Sequence, residues 1–196
     1  MHEIFNRELS YIKDNNIKES LITILDLLPS YFYEVPASST GKYHPEFSLG
    51  NGGLVRHTKA AVRIAIELFN DSALNNFTNN EKDLIIMALT LHDGLKSGFK
   101  KSEYTLFEHP ILMSNYIIEC KNELELNDEE IDLVSRCIKT HMGPWTKNYK
   151  DEEVLEAPKD KYQRFVHMCD YLASRKFLDI KFDKNNKIID AGDIDE

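Results

Sequence analysis

The sequence predicts an all-α fold, a compact single-domain bundle of about seven helices. Three observations carry this. Apolar residues recur at helical spacing along nearly the whole chain. Helix-start signals recur with them: Thr78-x-x-Glu81 and Asn127-x-x-Glu130 match capping boxes, and Pro110 and Pro158 suit first helical turns. Finally, the 196 residues hold only eight glycines and six prolines, with no internal repeat or low-complexity block, which excludes collagen-like and broadly disordered classes.

Taken in order, segments 2–14 and 17–28 read as short amphipathic helices, with Pro29 closing the second. Residues 1–33 are therefore expected to form a helical lead-in packed on the same domain. Residues 34–53 contain Val35-Pro36-Ala37-Ser38-Ser39-Thr40-Gly41, then Lys42-Tyr43-His44-Pro45 and Gly50-Asn51-Gly52-Gly53. They read as a loop longer than ordinary connections, and strong helices on both sides favour a functional one. Leu54 to Phe69 follows as a helix with Leu54, Val55, Val62, Ile66 and Phe69 facing the core. Thr78 starts a helix running to about His92, Pro110 one to about residue 124, and Asn127 one ending near His141, ahead of Gly143-Pro144. Pro158 is expected to open a long last helix reaching about Leu178. The core unit is thus expected over residues 34–178, with 179–196 a tail that alternates weakly, a fringe or a short hairpin.

Composition narrows the function. Apolar residues make up 42% and charged residues 29% of the chain. The longest nearly apolar run, Leu84 to Leu91, is far too short to span a bilayer. Residues Met1 to Glu8 lack the features of a signal peptide. Cys120, Cys137 and Cys169 form no CxxC pair and read as small buried apolar residues, so a cytoplasmic protein without a membrane partner is expected. With 24 basic and 33 acidic residues the net charge is -9, which repels a long phosphate backbone. Small anionic substrates held by a metal or a few cations fit this balance better than long nucleic acid.

His92-Asp93 ends a strongly apolar helix, a place where a histidine also fits simply as a helix-terminus cation. The rest of the inventory adds weight. His57, His92, His109 and His141 lie near helix termini or in the helix after the Gly-rich loop. Asp170 falls inside the core-like run Phe165-Val166-His167-Met168-Cys169-Asp170-Tyr171-Leu172, where a carboxylate needs a partner.

Three segments carry a family resemblance over roughly residues 50–176: Gly52-Gly53-Leu54-Val55-Arg56-His57-Thr58, Leu91-His92-Asp93-Gly94-Leu95-Lys96 and Asp170-Tyr171-Leu172-Ala173-Ser174-Arg175. Together they resemble the HD superfamily of metal-dependent phosphohydrolases. The family's usual order after His-Asp is an apolar residue, Gly, then Lys. Here Gly94 precedes Leu95, with Lys96 still in register. The resemblance implies that His57, His92, Asp93 and Asp170 bind one metal, and that His109 and His141 complete a second site with Asp93 bridging. Imidazole and carboxylate without thiolate suit Mn²⁺, Fe²⁺, Co²⁺, Ni²⁺ or Mg²⁺. Two such ions about 3.5–4 Å apart would polarise a phosphoryl oxygen and hold an attacking hydroxide. Lys96, beside the catalytic Asp93, and Arg175 would offer cations to the charge developing on phosphorus.

Plainer readings exist for several of these. His109 fits as a helix-entry residue, His141 as a C-terminal dipole partner, and Arg175 as a surface ion-pair former. His167 reads as a satisfied core histidine. Trp145 and Tyr149 offer rings for a nucleobase or mere packing. His44, with Tyr43, offers an imidazole for a leaving oxygen on a loop that feeds the His57 helix. The segment before His57 is also similar to that of bacterial HD-domain 3′-5′ exoribonucleases, whereas the five-histidine layout is similar to HD enzymes acting on dinucleoside polyphosphates and cyclic dinucleotides. The expected activity is hydrolysis of a nucleotide or small nucleotide-derived phosphoester. The alternatives are an exoribonuclease-like nuclease and an inactive nucleotide-sensing module.

Overall fold

The computed structural model describes residues 1–38, 40–178, 181, 182, 184, 188 and 189. Seven α-helices make up the described core: α1 (Asn6–Tyr11), α2 (Asn15–Leu27), α3 (Gly53–Asn70), α4 (Asn79–Leu91), α5 (His109–Glu119), α6 (Asp128–Lys139) and α7 (Lys161–Ala173). The all-α expectation is met. Among the described residues the only strands are the two-residue pair Lys181–Phe182 and Ile188–Ile189, antiparallel, with Lys181 opposite Ile189. That pair is the short hairpin considered for the tail; much of the remainder lies outside the described residues.

The lead-in departs from a single helix over 2–14. A 3-10 turn, His2–Phe5, runs into α1, and the chain becomes extended at Ile12 (φ -74°, ψ 126°). Asp83 on α4 explains the break: its Oδ2 accepts the backbone N–H groups of Lys13 and Asp14, both at 2.8 Å. Asp14 then caps α2, accepting from the N–H groups of Asn16 at 2.8 Å and Ile17 at 3.3 Å. Further on, Tyr31 sends its hydroxyl into the core region, where it donates to the Gly98 carbonyl at 2.6 Å and accepts from the Ser97 N–H at 3.1 Å.

The capping boxes of α4 and α6 form as the sequence predicts. The start of α7 does not lie at Pro158. Asp160-x-x-Gln163 forms a third capping box two residues later, and the α-helix ends at Ala173 instead of about Leu178. A separate 3-10 turn covers Lys176–Leu178.

Packing follows from the hydropathy pattern. Residues 83–91 of α4 are buried on every side, which puts this helix in the middle of the bundle, against α1, α2, α3, α6 and α7. In addition, α5 packs on α6 and α3 on α7. Phe5, Leu9, Ile12 and Leu21 of the lead-in share one apolar core with Leu84 to Leu91. The three cysteines are free and buried. Among the described residues, no helix is long and apolar enough to cross a membrane. Because α4 is central, its C-terminal end releases His92-Asp93 into the interior rather than at the surface.

The long segment before α3 is tied down at its base. Gly52 N–H donates to the Glu34 carbonyl at 2.8 Å, Leu54 N–H to Val35 at 2.9 Å, and Ala37 N–H to Ser48 at 3.0 Å. A further bond, Lys176 N–H to the Tyr43 carbonyl at 2.9 Å, joins its tip to the chain just after α7. It is therefore a fastened loop with its own 3-10 turn, Glu46–Ser48.

Candidate metal centre

Five helices deliver six side chains to one place. His57 stands in the second turn of α3, His92 caps the end of α4 with Asp93 next to it, and His109 opens α5. His141 follows α6, and Asp170 lies on α7. His57, His92, Asp93, His109 and His141 are buried, and Asp170 nearly so.

The imidazoles are held in one orientation by a repeated device. The Nδ1 atoms of His92, His109 and His141 lie 2.7, 2.6 and 2.8 Å from the carbonyl oxygens of Leu89, Leu106 and Ile138, each three residues earlier. A carbonyl only accepts, so each Nδ1 carries a hydrogen, and each Nε2 points inward, with its lone pair available whenever the ring is neutral. Such outer bonds orient metal-binding histidines. Inside, His57 Nε2 is 2.9 Å and His92 Nε2 3.4 Å from Asp170 Oδ1. His109 Nε2 is 3.0 Å and His141 Nε2 3.6 Å from Asp93 Oδ1. His92 Nε2 and Asp93 Oδ2 are 3.5 Å apart, so the two groups of ligand atoms meet at His92-Asp93.

This donor set fits divalent cations. His109 and His141 point their Nε2 atoms at each other across 3.2 Å, which leaves two lone pairs in opposition unless a cation or proton lies between. His92 Nε2 and Asp93 Oδ1 are buried without a hydrogen-bond partner, a costly arrangement that coordination would relieve. Ligand atoms of His57, His92 and Asp170 lie within 4.8 Å of one another, as do those of His92, Asp93 and His141.

The electrostatics agree. Burial disfavours a charged His92, yet Asp93 and Asp170 outweigh it and raise this imidazole to about 9; the same field favours a bound cation. Burial, reinforced by His92 and His109, pushes His141 down to about 3. Burial also opposes ionisation of Asp93 and Asp170. Lys96 and His92 for the first, and His92 and His57 for the second, hold both carboxyls well below the usual range. Lys96 Nζ donates to Asp93 Oδ2 at 2.5 Å.

The reversed order at Gly94-Leu95 has a packing reason. A Cβ on Gly94 would come within 2.9 Å of both Leu28 Cδ2 and Met113 Sδ, while Leu95 is wholly buried. Tight turns follow, with Gly94 N–H bonded to Leu91 O at 2.8 Å and Lys96 N–H to Asp93 O at 3.0 Å. Lys96 thus keeps its place beside Asp93.

A cavity of about 620 Å³ opens over the cluster. His44, Lys96, Trp145 and Arg175, all singled out by sequence, line it together with Tyr43. The His44 ring is 5.6 Å from that of His57, and burial, then His57 and Lys96, push its imidazole down to about 4. Tyr149 does not line the cavity and is almost wholly exposed. Sequence reading passed over Tyr171 and Phe177, and set His167 aside as a core residue; all three line the cavity. For Tyr171 and His167 a signal existed: one flanks Asp170 and the other precedes it by nearly one helical turn. His167 is fastened by its Nδ1, 2.7 Å from the His141 carbonyl. Its ring lies so close to Gly143 (φ 67°) that a Cβ there would fall 2.1 Å from Cε1. Gly143 is therefore required both by its left-handed backbone and by the ring beside it.

Among known proteins, the HD domain family model matches residues 54–175. The 3′-5′ exoribonuclease YhaM of Shouchella clausii (strain KSM-K16) is 32% identical over 158 residues, covering 74% of this chain and 46% of that protein. The chain thus spans less than half the length of this curated relative. No solved structure matches.

Proposed function

The chain belongs to the HD-domain family, and we propose that it is a metal-dependent phosphohydrolase acting on a nucleotide or a small nucleotide-derived phosphoester. One observation supports this most: three inward-aimed imidazoles, each anchored through Nδ1, converge with two carboxylates beneath an open cavity.

In this reading His57, His92, Asp93 and Asp170 hold a first divalent ion, and His109 and His141 a second, with Asp93 shared. The ions (Mn, Fe, Co, Ni or Mg) supply a Lewis acid for the phosphoryl oxygen and make water nucleophilic at neutral pH. Lys96 Nζ, fixed on Asp93, faces the same cavity and stabilises charge on the phosphoryl oxygens. Arg175 packs against the Tyr43 and Tyr171 rings and donates Nε and Nη2 to Ser174 Oγ, both at 3.1 Å, so Nη1 is the donor it would offer to phosphate. Burial holds the His44 imidazole neutral at neutral pH, so it would orient the leaving oxygen through its N–H. Residues 34–178 form the catalytic unit in this reading, with 1–33 supporting it.

A second reading, removal of nucleotides from single-stranded RNA ends, draws on the similarity to the exoribonuclease. The net charge of -9 favours short strands over long ones. The test is a Mn²⁺-supplemented panel of mononucleotides, dinucleotides, cyclic dinucleotides and a labelled oligoribonucleotide. Turnover of the small substrates above the oligonucleotide supports the first reading, and the reverse order the second. No turnover of any substrate would leave a nucleotide-sensing module.

A further inference from the structure

One wall of the cavity is a continuous ladder of π faces. The Arg175 guanidinium lies 5.2 Å from the Tyr43 ring centroid and 4.4 Å from that of Tyr171. Tyr171 in turn stacks on Trp145, with centroids 5.7 Å apart and planes 19° apart. Trp145 meets the edge of His167 at 6.0 Å. Three separate parts of the chain build this wall: the loop before α3, the segment after α6, and α7 with its C-terminal extension. The backbone bond from Lys176 to Tyr43 locks two of them together.

The ladder is anchored to the metal cluster at both ends. At one end Tyr43 adjoins His44, whose ring packs on that of His57. At the other, His167 is bonded to the His141 carbonyl. Yet its rings are not consumed by packing. Tyr43, Trp145 and Tyr171 remain 41%, 48% and 36% exposed, although all three line the cavity. Large aromatic surface left open beside a cluster suited to phosphate calls for a ligand that is flat and apolar at one end and anionic at the other.

We propose that this wall is the nucleobase site and sets the substrate class: nucleotides whose base is unpaired and free to stack. The proposal rests on the phosphohydrolase reading for the position of the phosphate. Stacking is tolerant of base identity, since every base has a π face, and a base held inside a duplex cannot reach the wall. Trp145 is the single tryptophan of the chain, so its fluorescence reports occupancy directly.

The experiment titrates the Mg²⁺-supplemented protein, excited at the tryptophan edge, with adenosine 5′-monophosphate and separately with ribose 5-phosphate. The monophosphate should quench Trp145 and bind at least about fivefold tighter than the sugar phosphate, the lower end of what stacking one base contributes. Tyr171→Leu should lose that advantage while Tyr171→Phe retains it. Equal affinity for the two ligands, or an unchanged preference in Tyr171→Leu, would overturn the proposal. Mn²⁺-dependent hydrolysis of bis(p-nitrophenyl) phosphate separates the two levels. Base-selective quenching without this turnover supports the wall and counts against the hydrolase reading. Turnover with equal affinities overturns the wall alone.

Discussion

Asp93 is the residue on which the centre turns. It faces His92, His109, His141 and Lys96, and one of its buried oxygens has no hydrogen-bond partner. Asp93→Asn preserves the shape but removes the charge, so hydrolysis should fall to about 1% of wild type or lower. Circular dichroism should remain that of a folded helical protein; retained turnover in metal-replete variant would contradict the assignment. The histidines make a separate prediction for chelator-stripped protein. His44 and His141 are pushed down to about 4 and about 3, so below about 6.5 the unfolded chain binds protons that the folded chain refuses. Stability should therefore fall as pH drops from about 6.5. His92 runs the other way: raised to about 9, its contribution is whole below about 6.5 and is lost as pH rises through 9. A thermal melting series from pH 4 to 9 should show losses on both sides. A Tm that rises steadily toward pH 4 would contradict this account, and His44→Asn should soften the acid limb. At this scale the sequence was most legible where a polar residue stood in an apolar run, as Asp170 does. His167 and Tyr171 escaped because histidine and tyrosine are unremarkable on a half-buried helix face.

At the scale of elements, local chemistry announced the helices whose caps are built from their own side chains. Thr78 and Asn127 are such cases. The start of α7 was misplaced because Pro158 offered a competing signal, although Asp160-x-x-Gln163 is an equally regular box. Asp160 also accepts from Arg136 Nε at 3.1 Å, so Asp160→Ala should cost about 1–2 kcal/mol in urea unfolding. Pro158→Ala should cost less than about 1 kcal/mol, mainly by loosening the unfolded chain. An equal or larger cost at Pro158 would show that the proline, rather than the aspartate, fixes the helix start. The break after Tyr11 was not legible, because its cause is Asp83, about seventy residues away. Tertiary bonds to backbone N–H groups leave no local trace in the sequence.

Across the whole molecule, the all-α class was legible because apolar residues recur at helical spacing along nearly the whole chain, and in the structure one of these helices, α4, is enclosed by the others. Enclosing it also brings His92-Asp93 inside, where α3, α5, α6 and α7 bring the other four side chains of the cluster. The aromatic wall was not legible, since it joins residues 43, 145, 171 and 175 through packing alone. The chain carries -9 overall, whereas the cavity sets the cations Lys96 and Arg175 beside Asp93 and Asp170.

In the reading proposed above, the six converging side chains form a two-metal centre. Metal stoichiometry tests it most directly: the protein is loaded with Mn²⁺, freed of excess ion, and analysed for manganese per chain. Two ions per chain are expected for the wild type, falling to one in His109→Ala. A wild-type chain that retains one manganese or none, or one whose content is unchanged by both His109→Ala and Asp93→Asn, would contradict the account.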